Sequence, residues 1–282
     1  MFDRRSKNVE IFEDSMKWIK ENEKLQKALD QSMTGHKLYL ENENVEVNVP
    51  VSKTSETMVV VSKKRSFEAA SEYARAGKQV CVLNFASATN PGGGVTHGSS
   101  AQEEALCRCS TLYPCLNTKE FWDDFYGPHR KANNPLYNND CIYTPGVVVF
   151  KGDISFPERM KEEDWYSIDV ITCAAPNLRE RPSNAMNPNA GTRAAKITKA
   201  ELLDLLEKRI EKIFAIAAQN GAEVLILGAF GCGAFCNPPE IVAKAFATVQ
   251  ERYSGCFKTI EYAIYCRDYE TANYDEFCRM MK

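Results

Sequence analysis

Two neighbouring glutamates, Glu103 and Glu104, follow a run of three glycines at residues 92–94. Glycine has no Cβ atom, so such a run lets a ligand approach the backbone amides closely. Adjacent residues on a helix point about 100° apart, so we expect one carboxyl group to hold sugar hydroxyls while the other faces a bond to be broken. We expect repulsion between the two close carboxyl groups to keep one of them protonated near neutral pH. A protonated carboxyl group beside a glycosidic oxygen is a general acid. The alternative is a flexible glycine loop ahead of an acidic helix N-terminus.

A second glycine-rich loop, residues 228–239 with the sequence GAFGCGAFCNPP, leads from a predicted strand into a predicted helix. Gly228, Gly231 and Gly233 are spaced G-x-x-G-x-G, and their amides together with the helix N-terminus suit a diphosphate. The loop matches neither the Walker A sequence nor the Rossmann order of glycines. Phe235 is expected either to stack on a sugar or to cover the helix end as a core aromatic.

Buried strands are expected to position both loops. Nearly continuous apolar runs at residues 79–85 and 223–229 each precede one loop, which is typical of strands covered on both faces. Ligands bind beyond the carboxyl ends of strands in open α/β sheets, so we expect the two loops to meet at one edge of a sheet. Further strands are predicted at residues 44–49, 58–61, within 141–150, 168–175 and 259–266.

Helices are predicted between these strands, which indicates an α/β fold with a mixed, mainly parallel sheet. Apolar spacing predicts a helix over residues 10–32. Ser66 is expected to cap the next helix, and Gly77 to end it. Other helices are predicted over 101–116, over 199–219 with a Thr198–Glu201 capping box, and from Asn237 to about Arg252.

The composition is that of a globular protein. The chain has 282 residues, of which 44% are apolar and 26% charged, and its formal net charge is −3. These values exclude a disordered chain, a fibrous repeat and a disulfide-dense miniprotein. A near-neutral chain has no broad field for a nucleic-acid backbone, so we expect a nucleotide-like ligand to be held locally by loops and helix ends.

The cysteine count, eleven, is high and odd. The first twenty residues contain no apolar run typical of a signal peptide, and no stretch approaches the ~18 apolar residues of a membrane helix. We therefore expect a cytoplasmic protein with free thiols, no disulfides and no membrane association. The pairs Cys107–Cys109 and Cys232–Cys236 lack the second half of a zinc site, so neither a metal nor a cofactor is expected.

Both loops together resemble the bacterial-type poly(ADP-ribose) glycohydrolases, a branch of the macrodomain superfamily. The shared signature is the segment GGG-VTHGSSA-QEE at residues 92–104, with LNFASATNP before it and GAFGCGAFCNP further along the chain. The resemblance extends from about residue 55 to 266. It implies a three-layer α/β/α macrodomain-like catalytic domain at residues 51–282, with residues 1–50 as an N-terminal helical extension packed on the core.

The resemblance also implies roles for individual residues. Glu104 would be the general acid and base that cleaves ribose–ribose O-glycosidic bonds of poly(ADP-ribose), mainly from the chain end, and Glu103 would hold the ribose hydroxyls. Asn90 would contact the distal ribose. The other expected substrate-binding residues are Gly92, Gly93 and Gly94 at the scissile end, Gln102, and Gly231, Cys232, Gly233, Ala234 and Phe235 at the diphosphate, with Phe235 packed on the distal ribose. No residue is assigned to the adenine, and Ala86 to Thr89 are candidates by position only.

Two other functions stay open at this point. The first is a non-catalytic module that binds ADP-ribose, although the paired glutamates argue against a pure reader. The second is a hydrolase of a different ADP-ribosyl linkage, for example to a protein or nucleic-acid side group. The expected partner is ADP-ribose or poly(ADP-ribose) as substrate, and ADP-ribosylated proteins are a further candidate.

Overall fold

One sheet organises the molecule. The structure is a computed structural model that describes residues 3–47, 56–185 and 187–281. Its strands are β1 (Lys37–Tyr39), β2 (Met58–Ser62), β3 (Val80–Phe85), β4 (Cys141–Val149), β5 (Tyr166–Cys173), β6 (Val224–Leu227) and β7 (Thr259–Ala263). They lie in the order β1-β4-β5-β3-β6-β7-β2. β5, β3, β6, β7 and β2 are parallel neighbours, whereas β4 pairs antiparallel with both β1 and β5. The sheet is therefore mixed and mainly parallel, as predicted.

Helices cover both faces of the sheet, so the predicted three-layer α/β/α arrangement is confirmed. The helices are α1 (Arg4–Glu21), α2 (Glu23–Gly35), α3 (Ser66–Arg75), α4 (Gln102–Cys109), α5 (Leu112–Leu116), α6 (Lys119–Phe121), α7 (Gly127–Ala132), α8 (Lys199–Gln219), α9 (Pro239–Arg252) and α10 (Ala272–Met280). Val82 belongs to the core beneath α3 to α6, while its neighbour Leu83 belongs to the core beneath α8 to α10. This alternation is what a strand buried on both faces requires.

The N-terminal region differs from its prediction. The single helix expected over residues 10–32 is two helices, because Asn22 has an extended backbone and its side chain caps α2 by accepting from the Lys24 and Leu25 amides. β1 adds a short strand to the sheet from within the predicted extension. Of the strand predicted at 44–49, residues 44–47 form no strand, and residues 48 and 49 lie outside the described residues. A domain boundary at residue 50 stays a prediction.

The first helix also braces the loop that carries the glycine run. Asn8 Nδ2 donates to the Gly98 carbonyl at 3.0 Å, and Ser15 Oγ donates to the Arg108 carbonyl at 2.6 Å. Both side chains are buried. The N-terminal helix is therefore part of the wall behind residues 95–109. Among the described residues, no helix is long and apolar enough to cross a membrane.

Three predicted helix boundaries are corrected. Ser66 is the first helical residue of α3 and Arg65 precedes it as cap, because the Ser66 hydroxyl accepts instead from Gln102 Nε2 at 3.0 Å. The cap of α9 is Pro238, since the Asn237 amide is used by neighbouring loops. The helix expected over 101–116 is interrupted between α4 and α5. The Thr198–Glu201 capping box and the bounds of α8 are confirmed.

Candidate active site

The two acidic residues lie at the carboxyl end of β3, in the first turn of α4. Gln102 joins helix to strand, because its Oε1 accepts from the Phe85 amide and its Nε2 donates to the Leu83 carbonyl, both at 2.8 Å. Gln102, a predicted substrate-binding residue, lines a cleft between the two glycine-rich loops. Its amide group is nevertheless already bonded to the protein, and it anchors the helix on which both glutamates are carried.

Glu103 is 3% exposed and surrounded by donors. Its Oε2 accepts from the Ser87 amide at 2.7 Å, and Asn84 Nδ2 lies 3.4 Å from its Oε1. Burial raises the pKa of Glu103 well above its usual range, and repulsion by Glu104 adds to the shift. Hydrogen bonds from Ser87, Asn84 and Gly92 act in the opposite direction by stabilising the ionised form.

Glu104 is 7% exposed and has an asymmetric environment. The Gly94 amide donates to its Oε1 at 2.9 Å. Within the described part of the chain its Oε2 is buried and has no hydrogen-bond partner. Burial raises the pKa of Glu104, while the Gly94 amide and the charge of Arg108 lower it. The two carboxyl groups therefore form a buried pair in which ionisation of both is unfavourable.

Gly93 lies between the two carboxyl groups. A Cβ atom at this position would come within 2.6 Å of Glu104 Oε1 and 3.0 Å of Glu103 Oε2, and its φ of +58° favours glycine. At Gly92 a Cβ would lie 2.7 Å from the Tyr113 ring, again at positive φ. Gly93 is thus needed for close approach of backbone to the carboxyl groups and Gly92 for packing against Tyr113, and a flexible loop alone does not explain either.

Asn90 opens the same loop. Its carbonyl accepts from the Gly93 amide at 3.1 Å, which closes a turn over residues 90–93. Its side-chain Oδ1 accepts from the Arg130 guanidinium, whose Nε also donates to the Thr89 carbonyl at 2.7 Å. Asn90, like Gly92, lies beside the cleft and is not among the residues that line it, whereas Gly93 and Gly94 line it.

The second loop folds over the carboxyl end of β6. Asn237 Nδ2 donates to the Gly231 carbonyl at 3.1 Å and to the Pro176 carbonyl at 2.7 Å. Gly231 has a φ of +74°, and a Cβ there would lie 2.5 Å from both Ala175 Cβ and Asn237 Nδ2. Tight packing of the Gly231 backbone against the side chains of Ala175 and Asn237 therefore determines this glycine, and Asn237 ties the loop to the end of β5.

Four of the five predicted diphosphate residues line the cleft: Gly231, Gly233, Ala234 and Phe235. Cys232 does not line it, and burial raises the pKa of its thiol to about 12. The Phe235 ring packs against Tyr137, with ring centroids 6.1 Å apart, and also borders the cleft. Both interpretations of Phe235 thus have an observation in their favour.

A single cleft of about 790 Å³ joins the two loops. This volume is typical of a small-molecule site. The lining of the cleft includes the glutamates and Gly93, four residues of the second loop, and Ser66 and Tyr265. The two loops predicted to share one sheet edge do meet there. In the described residues, no cluster of three or more potential ligands could hold a metal ion.

Sequence reasoning missed several residues of this cleft. Asn187, from the long loop after β5, accepts from Ser87 Oγ at 3.1 Å and lines the cleft with Asn184 and Arg179. Asp153, after β4, lines it with a buried Oδ1 that has no partner in the described ranges. The polar character and length of the loop at 176–197 were the available signal, and they do not identify single residues.

Known proteins were compared with the chain. A family model described as microbial-type PARG, catalytic domain, matches residues 7–152, just over half of the chain. The crystal structure of a poly(ADP-ribose) glycohydrolase from Thermomonospora curvata, bound to the inhibitor ADP-HPD, is similar with a TM-score of 0.80 and 30% identity. That match covers 98% of this chain and 99% of the other.

A second similar structure is the poly(ADP-ribose) glycohydrolase from Deinococcus radiodurans in complex with ADP-ribose. Its TM-score is 0.73 and its identity 27%, over 90% of this chain and 96% of the other. A comparison with curated protein sequences gave no match. Structural similarity therefore covers nearly the whole chain, whereas the family model covers the half that contains the glycine run and both glutamates.

Proposed function

We infer the activity of this chain from its family, because it belongs to the microbial-type poly(ADP-ribose) glycohydrolases. It is a glycosidase-type hydrolase, and poly(ADP-ribose) is its substrate. The observation that carries a specific mechanism is the buried pair Glu103 and Glu104 beside Gly93 at one end of the cleft. Residue roles are proposed below from that geometry.

The ADP-ribose unit is proposed to lie along the cleft between the two loops. Exposed amides of Gly233 and Ala234 suit the diphosphate, since backbone N–H groups bind phosphate oxygens without a lysine or arginine. The distal ribose then lies at Gly93 and Gly94, beside the glutamates. This assignment agrees with the near-neutral charge of the chain. The T. curvata and D. radiodurans structures contain ADP-HPD and ADP-ribose, which supports a ligand of this class.

The two glutamates are proposed to have different roles, Glu103 in binding the ribose and Glu104 in donating a proton. Burial raises the pKa of both carboxyl groups, so the pair is proposed to hold one proton. Both oxygens of Glu103 lie against donors, the Ser87 amide and Asn84 Nδ2, and these contacts favour the ionised form at Glu103, which accepts from ribose hydroxyls. Glu104 is a lining residue of the cleft; it receives one amide on Oε1, while its buried Oε2 has no partner in the described residues. When the two carboxyl groups hold a single proton between them, that proton is therefore assigned to Glu104. Glu104 is the general acid.

Hydrolysis then proceeds in two bond changes. Glu104 donates its proton to the leaving ribose oxygen as the bond from that oxygen to the anomeric carbon breaks, and the bond electrons stay with the oxygen. The ribosyl cation that forms is stabilised by the nearby negative diphosphate. Water adds to the anomeric carbon, and the Glu104 carboxylate takes the proton of that water, which restores the acid. The products are free ADP-ribose and a polymer shortened by one unit.

Finer points of the function are also proposals. We propose cleavage mainly at the chain end, ADP-ribosylated proteins as carriers of the polymer, and a cytoplasmic location. Eleven free thiols, several of them fully buried, suit a reducing compartment. No metal or cofactor takes part in the proposed steps.

A polymer digest tests these proposals together. Purified protein is incubated with poly(ADP-ribose) of defined length, and the products are separated by size over time. We expect free ADP-ribose from the earliest time points, with a polymer that shortens gradually; early oligomers would contradict chain-end cleavage. Calorimetry with ADP-ribose is run in parallel. Binding without release would favour the non-catalytic module, and release only from a mono-ADP-ribosylated peptide would favour a different linkage.

A further inference from the structure

The helix that follows the aromatic segment 121–126 carries a cation, Arg130, that takes no part in the proposed bond changes. A π-helical turn at Trp122–Tyr126 leads directly into α7. Arg130 lies on α7 and is half-buried. Turns of this kind are frequent at functional sites because they displace the residues that follow. Here Arg130, which follows the turn, contacts Thr89 and Asn90 at the start of the glycine loop.

The Arg130 guanidinium group makes three contacts at once. Its Nε donates to the Thr89 carbonyl at 2.7 Å, and one terminal nitrogen donates to Asn90 Oδ1. The group also lies over the Trp122 ring, 4.7 Å from the ring centroid. Trp122 is held in turn, because its Nε1 donates to Asn117 Oδ1 at 2.9 Å. The planar guanidinium group of arginine can stack on an aromatic ring while it donates hydrogen bonds in two directions, and the ammonium group of lysine cannot replace it.

These contacts lead to the reacting carboxyl groups through one turn. The Asn90 carbonyl accepts from the Gly93 amide at 3.1 Å. Gly93 has no room for a Cβ between Glu103 and Glu104, so a small shift of the turn changes its distance to both carboxyl groups. The next amide, that of Gly94, is the donor to Glu104 Oε1. Arg130 thus holds the start of a segment whose end bonds the general acid.

We propose that Arg130 is a positioning residue for hydrolysis: it fixes the turn over residues 90–93 and thereby the placement of Gly93 and Gly94 against Glu104. The proposal rests on the proposed function. Arg130 lies outside the residues that line the cleft and acts through the loop. Substitution of Arg130 should therefore slow the bond-breaking step and weaken binding of the distal ribose. Binding of the ligand groups that contact residues 231–235 should be unchanged.

The test compares Arg130→Met with Lys131→Met, which removes the same charge from an exposed neighbour. We expect Arg130→Met to lower kcat on poly(ADP-ribose) about tenfold to a hundredfold, since small misplacements cost that much. Its Kd for ADP, which lacks the distal ribose, should stay within about twofold of the wild-type value, because a twofold change is well below the effect of one lost hydrogen bond. Arg130→Lys should not restore kcat. Lys131→Met should behave as wild type in both measurements.

A second variant keeps the inference testable if stability changes. In the Asn90→Ala background, Arg130→Met should cost less kcat than it does alone, because one of its two acceptors is already gone. Equal losses of ADP affinity and turnover would show general unfolding and overturn the inference, as would full turnover by Arg130→Met. A wild-type protein without turnover would instead overturn the proposed function, and this inference with it.

Discussion

The Gly94 amide donates to Glu104 Oε1 at 2.9 Å and leaves the other oxygen of that carboxyl group without a partner in the described residues. The relationship orients the side chain, because only one oxygen is bound by the loop. It also explains why the glycine run must stand so close in the chain to the glutamates. The loop supplies a backbone donor to one oxygen of Glu104, and in the proposed mechanism the second oxygen carries the proton that is donated to the substrate.

The pH dependence of turnover should report the raised pKa of Glu104. A general acid must be protonated, so activity falls as pH rises through its pKa. Burial raises this pKa, against the opposing effects of the Gly94 amide and Arg108. We therefore expect kcat/KM to decline with rising pH only above the ordinary glutamate value of about 4.3. A kcat/KM profile that increases with pH across this range would show that Glu104 acts in its ionised form.

Substitution of Gly93 by alanine should nearly abolish turnover. The added methyl would lie 2.6 Å from Glu104 Oε1 and would push the loop away from both carboxyl groups. Gly77→Ala is the matched control: its φ of +73° imposes similar backbone strain, but a Cβ there meets nothing within 4 Å. We expect a loss of at least about a hundredfold in kcat for Gly93→Ala, with similar melting temperatures for the two variants. Equal activities would contradict the role of the close contact.

The backbone proposed to bind the diphosphate can be tested at Gly233. A Cβ at this position meets no protein atom within 4 Å, so Gly233→Ala should fold with unchanged stability. A ligand that approaches the Gly233 amide would, however, meet the methyl group. We expect the affinity for ADP to fall about tenfold, which corresponds to ~1.4 kcal/mol. Gly221→Ala, with equally open surroundings on a distant turn but with backbone strain from a φ of +75°, is the control for an effect on folding alone. Identical ADP affinity in both variants would place the diphosphate elsewhere.

The parts of the fold that could be predicted are those with a local physical signal. β3 and β6 follow from apolar runs because both faces of each strand are buried. α8 follows from its capping box. The three-residue β1 has no such signal, since its pairing with β4 comes from the path of the chain. The break between α1 and α2 did carry one, the capping residue Asn22, which the apolar spacing of residues 10–32 obscured.

The same distinction between features with and without a local sequence signal applies to the candidate site. Glu103 and Glu104 are recognisable because they lie in the first turn of a helix that only seven residues separate from a glycine run. Arg130 on α7 and the loop residues Asp153 and Asn187 reach the same region from separate parts of the chain, and no spacing within the sequence connects them with the glutamates. Their positions depend on how the sheet brings distant strand ends together, which pattern reasoning on a single sequence does not resolve.

The central claim is that Glu104 is the acid that breaks the glycosidic bond, and Glu104→Gln tests it most directly. Glutamine keeps the size of the side chain and an acceptor for the Gly94 amide, but its amide N–H groups are too weakly acidic to protonate a leaving oxygen. We expect release of ADP-ribose from poly(ADP-ribose) to fall about a hundredfold to ten-thousandfold, while calorimetry gives an ADP-ribose Kd within a few-fold of wild type. Turnover close to that of the wild-type protein would contradict the account.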